Sequence, residues 1–238
     1  MTRPRGPTMK SDSPEGLLLV DKPAGITSHD VVDAVRRAYG ERSVGHLGTL
    51  DPFATGLLVV LVGRATRLAT FLDIEPKVYE AVITFCAETD TDDATGEITR
   101  SAGQPSEPDV RAAITTLTGD ILQVPPAYSA KKVGGKRAYA AARAGEALEL
   151  EPAPVTVHRW DVGAFTGATL AATITCGGGT YIRALARDLG RLSGSAAHLS
   201  SLRRTRVGRF DVGDAVPAAD LGVAPPPLKK LEVAVAPA

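Results

Sequence analysis

His46 and Asp51 lie five positions apart in SVGHLGTLDPFATGLLVVLVG, residues 43–63, a run punctuated by Gly45, Gly48, Pro52 and Gly56. Glycine and proline at this density oppose both helix and strand, through backbone entropy and the missing proline N–H, so the first half of the run reads as a shaped loop. A carboxylate held on such a loop is a nucleophile or a general base. The competing reading is a turn or cap, the common use of an aspartate before proline. Behind the loop, residues 57–62 (LLVVLV) are leucine or β-branched throughout and too few to span a membrane. They predict a strand covered on both faces, the kind of rigid support on which catalytic loops are carried.

Three further stretches have chemistry-bearing residues. In CGGGTYIR, residues 176–183, glycines precede a helix start, a geometry whose free N–H groups hold phosphate; no Gly-Lys-Ser/Thr follows, so this is not a Walker A loop. Arg183, one turn into that helix and next to Tyr181, either decorates the surface or is buried and needs a carboxylate, for which Asp51 is the candidate. The stretch PPAYSAKKVGGKRAYAAARAG interleaves Tyr128 and Tyr139 with Lys131, Lys132, Lys136, Arg137 and Arg143. Bases stack on aromatic rings while cations hold phosphates, so this mixture suits RNA. DTDDATG invites a calcium-loop reading that fails at Ala94, Thr95 and Ser101, where the pattern requires an acid, a glycine and a glutamate; a polar hairpin turn over 90–96 is the better account.

The elements that must position these residues follow from periodicity. A strand over 16–20 leads to a helix opening at Thr27 and Asp30, striped by Val31, Val35 and Ala38 and ended by Gly40. A short helix over 64–72, a strand from 77, helices over 108–117 and 137–143, strands over 155–160 and 170–176, a helix after the glycine loop and extended chain over 197–210 complete the order. Strands and helices mix without strict alternation, which favours α+β.

The chain of 238 residues has 27 basic and 27 acidic side chains, so net charge points to no polyanionic partner. Local charge does: 124–145 and 189–210 each contain five basic residues and no acid, while acids gather in ETDTDDATGE. Such segregation either builds a phosphate-binding face or marks two solvated faces. Cys86 and Cys176 sit in apolar runs as small core residues, and no Cys/His spacing suggests zinc. Residues 1–14 are polar and basic, a disordered tail with no signal-peptide character, so a cytoplasmic location is expected.

Together LLLVDKPAGITSHDVV, VGHLGTLDPFATGLLVV, KVYEAVITFCAETDTDDATG, QVPPAYSAKKVGGKRAY, GGGTYIRALARDLG and HLSSLRRTRVGRF resemble the TruB family of tRNA pseudouridine synthases, in the family's order, from about residue 16 to 210. The resemblance implies a pseudouridine synthase fold: a mixed, mostly antiparallel sheet flanked by helices, with a central catalytic cleft. It implies isomerisation of the T-loop uridine, position 55 of tRNA, by base flipping. By motif position Asp51 is the essential aspartate, Arg183 its partner holding its pKa down, and Tyr79 the ring stacked on the target base. His46 assists flipping, Leu202 lines the pocket, and Tyr181, Lys22, Lys131, Lys132, Lys136 and Arg137 join the substrate-binding set. Lys22 with Pro23 would be support near the cleft. The implied chemistry needs no cofactor and no metal; the expected partner is tRNA through its T-arm, with no membrane and the chain a monomer. The expected organisation is a tail over 1–14, a catalytic domain over 15–212, and a Pro/Ala-rich tail over 213–238 too short for the PUA domain many members carry. A synthase acting on another RNA such as rRNA, and a tRNA-folding chaperone that binds the elbow, are the alternatives.

Overall fold

The computed structural model describes residues 13–129, 131–133, 136–137 and 150–230. In chain order its elements are β1 (Gly16–Lys22), α1 (Ser28–Tyr39), β2 (Val44–Leu47), β3 (Thr55–Val62), a 3-10 segment (Gly63–Phe71), β4 (Lys77–Phe85), β5 (Ala87–Thr89), β6 (Ile98–Ser101) and α2 (Glu107–Thr116). There follow β7 (Gly119–Gln123), β8 (Lys132–Val133), β9 (Lys136–Arg137), β10 (Ala153–Phe165), β11 (Thr169–Cys176), α3 (Ile182–Leu192), β12 (Ala197–Val207), β13 (Phe210–Asp211) and β14 (Val216–Pro217). Ten strands form one sheet in the order β14-β1-β3-β12-β4-β11-β10-β7, with β2 paired to β3 and β13 to β12. Among the described strands, β1–β14 and β3–β12 pair in parallel and the rest antiparallel, so the fold is α+β with a mostly antiparallel sheet. The tail before residue 13, and all of the helix expected over 137–143 except Arg137, lie outside the described residues.

The strand period of two sorts the central strands between two cores. Leu17, Leu19, Leu57, Val59 and Leu61 face one cluster with Leu72, Val207 and Phe210. Leu18, Val20, Leu58, Val60 and Val62 face the other, against Val31, Val32 and Val35 of α1. None of residues 57–62 is more than 1% exposed, which makes β3 a rigid base for the loop before it. A third cluster joins Tyr79, Ile83, Leu170 and Ile174 of the sheet to Val110 and Ile114 of α2 and Leu185 and Leu189 of α3. Helix α1 opens with a capping box, Asp30 N–H donating to Thr27 Oγ1 at 3.0 Å and Thr27 N–H to Asp30 Oδ2 at 2.7 Å, worth about 1 kcal/mol. It closes at Gly40, φ +62°.

Two expectations change and one is refined. Residues 44–47, read as loop because of Gly45, form β2: Val44 and Leu47 are buried and the strand pairs along β3, so tertiary pairing outweighs local propensity. The short helix expected over 64–72 is present over 63–71, and its type is 3-10. The described part of the expected tail, residues 213–230, is docked: β14 pairs with β1, Lys229 and Leu17 exchange N–H···O bonds at 2.8 and 3.0 Å, and Leu221 is 3% exposed. Its apolar residues are too widely spaced to show periodicity, but β1 otherwise offers an open edge to cover.

Candidate active site

The loop carrying Asp51 is pinned residue by residue. Ser28, buried at the start of α1, accepts from Leu50 N–H at 2.8 Å and donates to Leu50 O at 3.1 Å. Asp51 O accepts from Ala54 N–H at 3.1 Å, closing the turn, and Pro52 O accepts from Gly25 N–H at 2.8 Å. The Lys22 amine, 0% exposed, donates to Pro23 O and Ile26 O at 2.9 and 2.8 Å and to Pro52 O at 3.3 Å, tying the end of β1 to the loop. Burial is the main cause that pushes this amine down to about 8, with Asp51 opposing and Arg204 adding to the shift. Lys22 is thus an internal strut, shut off from solvent.

Arg183, from the first turn of α3, crosses to this loop. Its Nη2 donates to Asp51 Oδ1 at 2.9 Å, and its Nε stands 2.9 Å from Oδ2 without a hydrogen bond's alignment. The same guanidinium donates to Thr91 O at 2.8 Å and Tyr128 O at 2.9 Å and lies 3.6 Å from Asp93 Oδ2. Arg183 is buried, whereas the Asp51 side chain keeps 33% exposure, so one carboxylate group is fixed from behind and open in front. Arg183 alone does not set its acidity as the sequence suggested: burial raises the Asp51 pKa, Arg183 lowers it in part, and the charge of Asp93 adds to the rise, leaving a net upward shift. The result is a carboxylate more basic than a surface one, oriented by two contacts.

The acidic hairpin turn, read as merely polar, builds the back of the site. Asp93 Oδ1 accepts from Thr95 N–H at 3.0 Å and from the Thr91 and Thr95 hydroxyls at 2.8 and 2.6 Å, which holds Oδ2 toward Arg183. Arginines four residues apart on α3 meet the hairpin in succession. Arg187 Nη1 donates to Asp92 Oδ2 at 2.8 Å, and Arg191 holds Glu88 at 3.0 and 2.6 Å, with Arg100 on the same carboxylate at 2.6 Å. Burial carries Asp92 up to about 6 despite Arg187. For Glu88 burial also raises the pKa, but the bonds from Arg191 and Arg100 outweigh it and the net shift is down. Gln123, 1% exposed at the end of β7, fixes the entry to α3 by accepting from Tyr181 N–H at 2.8 Å and donating to Tyr181 O at 3.2 Å. Tyr181 therefore acts here through its backbone, as the residue that sets where Arg183 begins.

Tyr79, on β4, packs in the cluster with Leu50, Ile182 and Leu202 and is 7% exposed. Burial raises its hydroxyl pKa. A base stacking on this ring requires its neighbours to part, so Tyr79 is a wall of the site before it is a platform. His46, in β2, has a buried Nδ1 without a hydrogen-bond partner; burial, then the Arg204 charge, lower its pKa and leave the ring neutral at neutral pH. The Lys131 amine stands 3.4 Å from Glu151 O, while the side chains of Lys132, Lys136 and Arg137 lie outside the described residues, though their backbones pair as β8 and β9. Of the arginine-rich stretch, Arg191, Arg203 and Arg206 are paired with Glu88, Asp21 and Asp211, Arg209 stacks over Phe210 at 5.6 Å, and Arg204 is buried. Among the described residues no group of acids, histidines and cysteines is arranged to hold a metal ion, and no helix is long and apolar enough to cross a membrane.

A mixed sheet with an aspartate loop at its centre, locked by an arginine from a helix, defines the class. Residues 36–182 match the TruB family pseudouridylate synthase N-terminal domain and residues 183–225 the tRNA pseudouridylate synthase B C-terminal domain. The chain belongs to the TruB family of pseudouridylate synthases. It is 51% identical over 208 residues to a tRNA pseudouridine synthase B of Arthrobacter sp. (strain FB24), covering 84% of this chain and 68% of that protein. It is 54% identical over 211 residues to that of Thermobifida fusca (strain YX), covering 84% and 72%. Among solved structures it superposes on a chain of a Cbf5-Nop10-Gar1 complex with a TM-score of 0.67 at 28% identity, over 86% of this chain and 53% of that one. The chain thus spans about half the length of that structural neighbour.

Proposed function

We propose that this protein converts the T-loop uridine of tRNA, position 55, to pseudouridine, acting as a monomer on the T-arm with Asp51 as the essential carboxylate. The observation that carries the reading is the Asp51–Arg183 pair: an oriented, partly desolvated carboxylate open on one side, in a TruB-family chain about 50% identical to proteins named tRNA pseudouridine synthase B. The bond from the ribose C1′ to uracil N1 breaks and a bond from C1′ to C5 forms; C5 loses its proton and N1 gains one. Atoms and electrons balance within the nucleotide, so no redox partner takes part. The target base is stacked inside a folded loop and must be extruded into a pocket before a carboxylate can reach it. Tyr79 supplies a ring face for the extruded base, Leu202 an apolar wall, and neutral His46 an unpaired nitrogen at the edge of the Asp51 loop. Lys131, Lys132, Lys136 and Arg137 supply the cations for the phosphates of the arm.

The test is tritium release from tRNA labelled at C5 of uracil. Asp51→Asn keeps size and hydrogen bonding but removes the charge, so turnover should vanish while tRNA affinity stays within about threefold. Single-turnover activity above about 1% of wild type would exclude Asp51 as the essential group. Wild-type protein that binds tRNA and releases no tritium would leave the chaperone reading in its place.

A further inference from the structure

Among the described residues, Arg204 is the largest side chain fully shut off from water, 1% exposed. Among the described residues no carboxylate pairs with it. Its guanidinium meets carbonyl oxygens: Nε donates to Leu57 O at 2.8 Å, Nη2 to Gly48 O at 3.0 Å, and Nη1 makes a longer contact to Thr49 O at 3.5 Å. Its charge also reaches the Tyr79 hydroxyl, where it opposes the effect of burial. Gly48 and Thr49 open the loop that carries Asp51, and Leu57 lies just past its end, so one rigid fork grips both ends. The backbone beneath is equally constrained. In β12, Arg204 stands in register with Gly56 on one side and Tyr79 on the other. Gly56 has φ +104°, and a Cβ there would fall 2.2 Å from Arg204 O, so only glycine permits this approach. A Cβ at Gly48 would fall 3.4 Å from Arg204 Nη1 and 3.6 Å from Lys77 Cε, which places the loop directly on two cations.

A core built for stability alone would place hydrocarbon at this point. A buried guanidinium beside buried Lys77 and Lys22 carries a desolvation cost that three carbonyl dipoles offset only in part. What the guanidinium supplies that a leucine cannot is a fixed spacing between the two ends of the loop.

We infer that Arg204 is a positioning residue, clamping the Asp51 loop to β12, the strand that pairs on its other side with Tyr79 of β4. The inference rests on the role proposed for Asp51. Substrate contacts are not made by Arg204, so its loss should lower kcat and leave KM nearly alone.

The experiment compares wild type with Arg204→Lys, which keeps the charge and loses the fork, and with Arg204→Gln, which supplies the comparison if a buried amine prevents folding. The readouts are steady-state tritium release and amide hydrogen exchange by mass spectrometry. We expect kcat to fall by about 10²-fold with KM within about threefold, the order reached when a reacting group is displaced by about 1 Å. Amides over 48–57 should exchange at least about tenfold faster while those of β1, β4 and β11 keep their protection. Unchanged kcat overturns the inference. So does a fall in kcat with unchanged loop exchange, and so does a uniform loss of protection across the sheet, the mark of a merely structural role. Should Asp51→Asn prove active, the reading of Asp51 fails by itself, whereas the exchange result still reports whether Arg204 holds the loop.

Discussion

Arg183→Met removes a cation that touches both Asp51 and Asp93 while keeping the length of the side chain. Five contacts go: two to Asp51 at 2.9 Å, one to Asp93 at 3.6 Å, and the bonds to Thr91 O and Tyr128 O. Removing one partner of a buried ion pair costs roughly 3–5 kcal/mol, because the other charge stays behind without compensation. Asp51 is one-third exposed and is relieved by water; Asp93 at 4% is not. We therefore expect about 3 kcal/mol, the low end of that range, within a total of ~5–15 kcal/mol for a domain, so the variant folds. The pH dependence has a definite sign. Burial already raises the Asp51 pKa, and loss of the guanidinium raises it further. A carboxyl whose folded pKa exceeds its unfolded one favours the fold where it is protonated, and that contribution disappears as pH rises through the folded value. The gap to wild type must then narrow on acidification from about pH 7 to about pH 5, and Asp51→Asn in the Arg183→Met background should recover part of the loss. Urea denaturation at the two pH values measures it. A variant within about 1 kcal/mol of wild type near pH 7, with no narrowing near pH 5, would refute the account of a charge-locked site.

Tyr79→Leu should lose about 10²-fold or more in single-turnover rate while Tyr79→Phe retains base stacking and tRNA affinity, since only the first removes the ring face; wild-type rates in Tyr79→Leu would mean that the base stacks elsewhere. Replacing any one of Lys131, Lys132, Lys136 and Arg137 should weaken tRNA binding and reduce the slope of log affinity against log salt by about 0.7–0.9 per phosphate contact, measured by filter binding across salt concentrations; an unchanged slope returns that stretch to a solvated face.

The local features of this fold were open to reading from sequence because their causes are local. Thr27 and Asp30 cap α1, Gly40 stops it, and the unbroken apolar run at 57–62 is a strand buried on both faces. β2 was hidden because Gly45 argues against a strand unless the pairing along β3 is known. Asp51 and Arg183, 132 positions apart, could be named as a pair since a buried arginine needs a carboxylate, but nothing in the spacing says that Asp93 joins them. There was a signal: the turn over 90–97 has three aspartates where a hairpin needs one, and Thr27 is followed at the helix start by a second hydroxyl, Ser28, which the cap does not use.

Charge shows the same limit more sharply. Arg183, Arg187 and Arg191 recur every four residues, the spacing of one helix face, and the acids that neutralise them sit about ninety residues earlier in a hairpin whose register only the sheet determines. Read as blocks, the basic segments suggested a phosphate-binding face or two solvated faces; folded, Arg191 of the 189–210 run meets Glu88 of the hairpin, and Arg203 and Arg206 are paired with Asp21 and Asp211. An arginine run is therefore poor evidence for an RNA face until its carboxylates are located, and here the run over 189–210 is largely answered from within the protein. On the function proposed above, the electrostatic burden of binding tRNA falls on the stretch around Lys131, where no acid occurs between residues 124 and 145 to answer the lysines locally. It also explains why the salt slope is the decisive measurement for that stretch, since only cations left unpaired by the fold release counterions when a phosphate arrives.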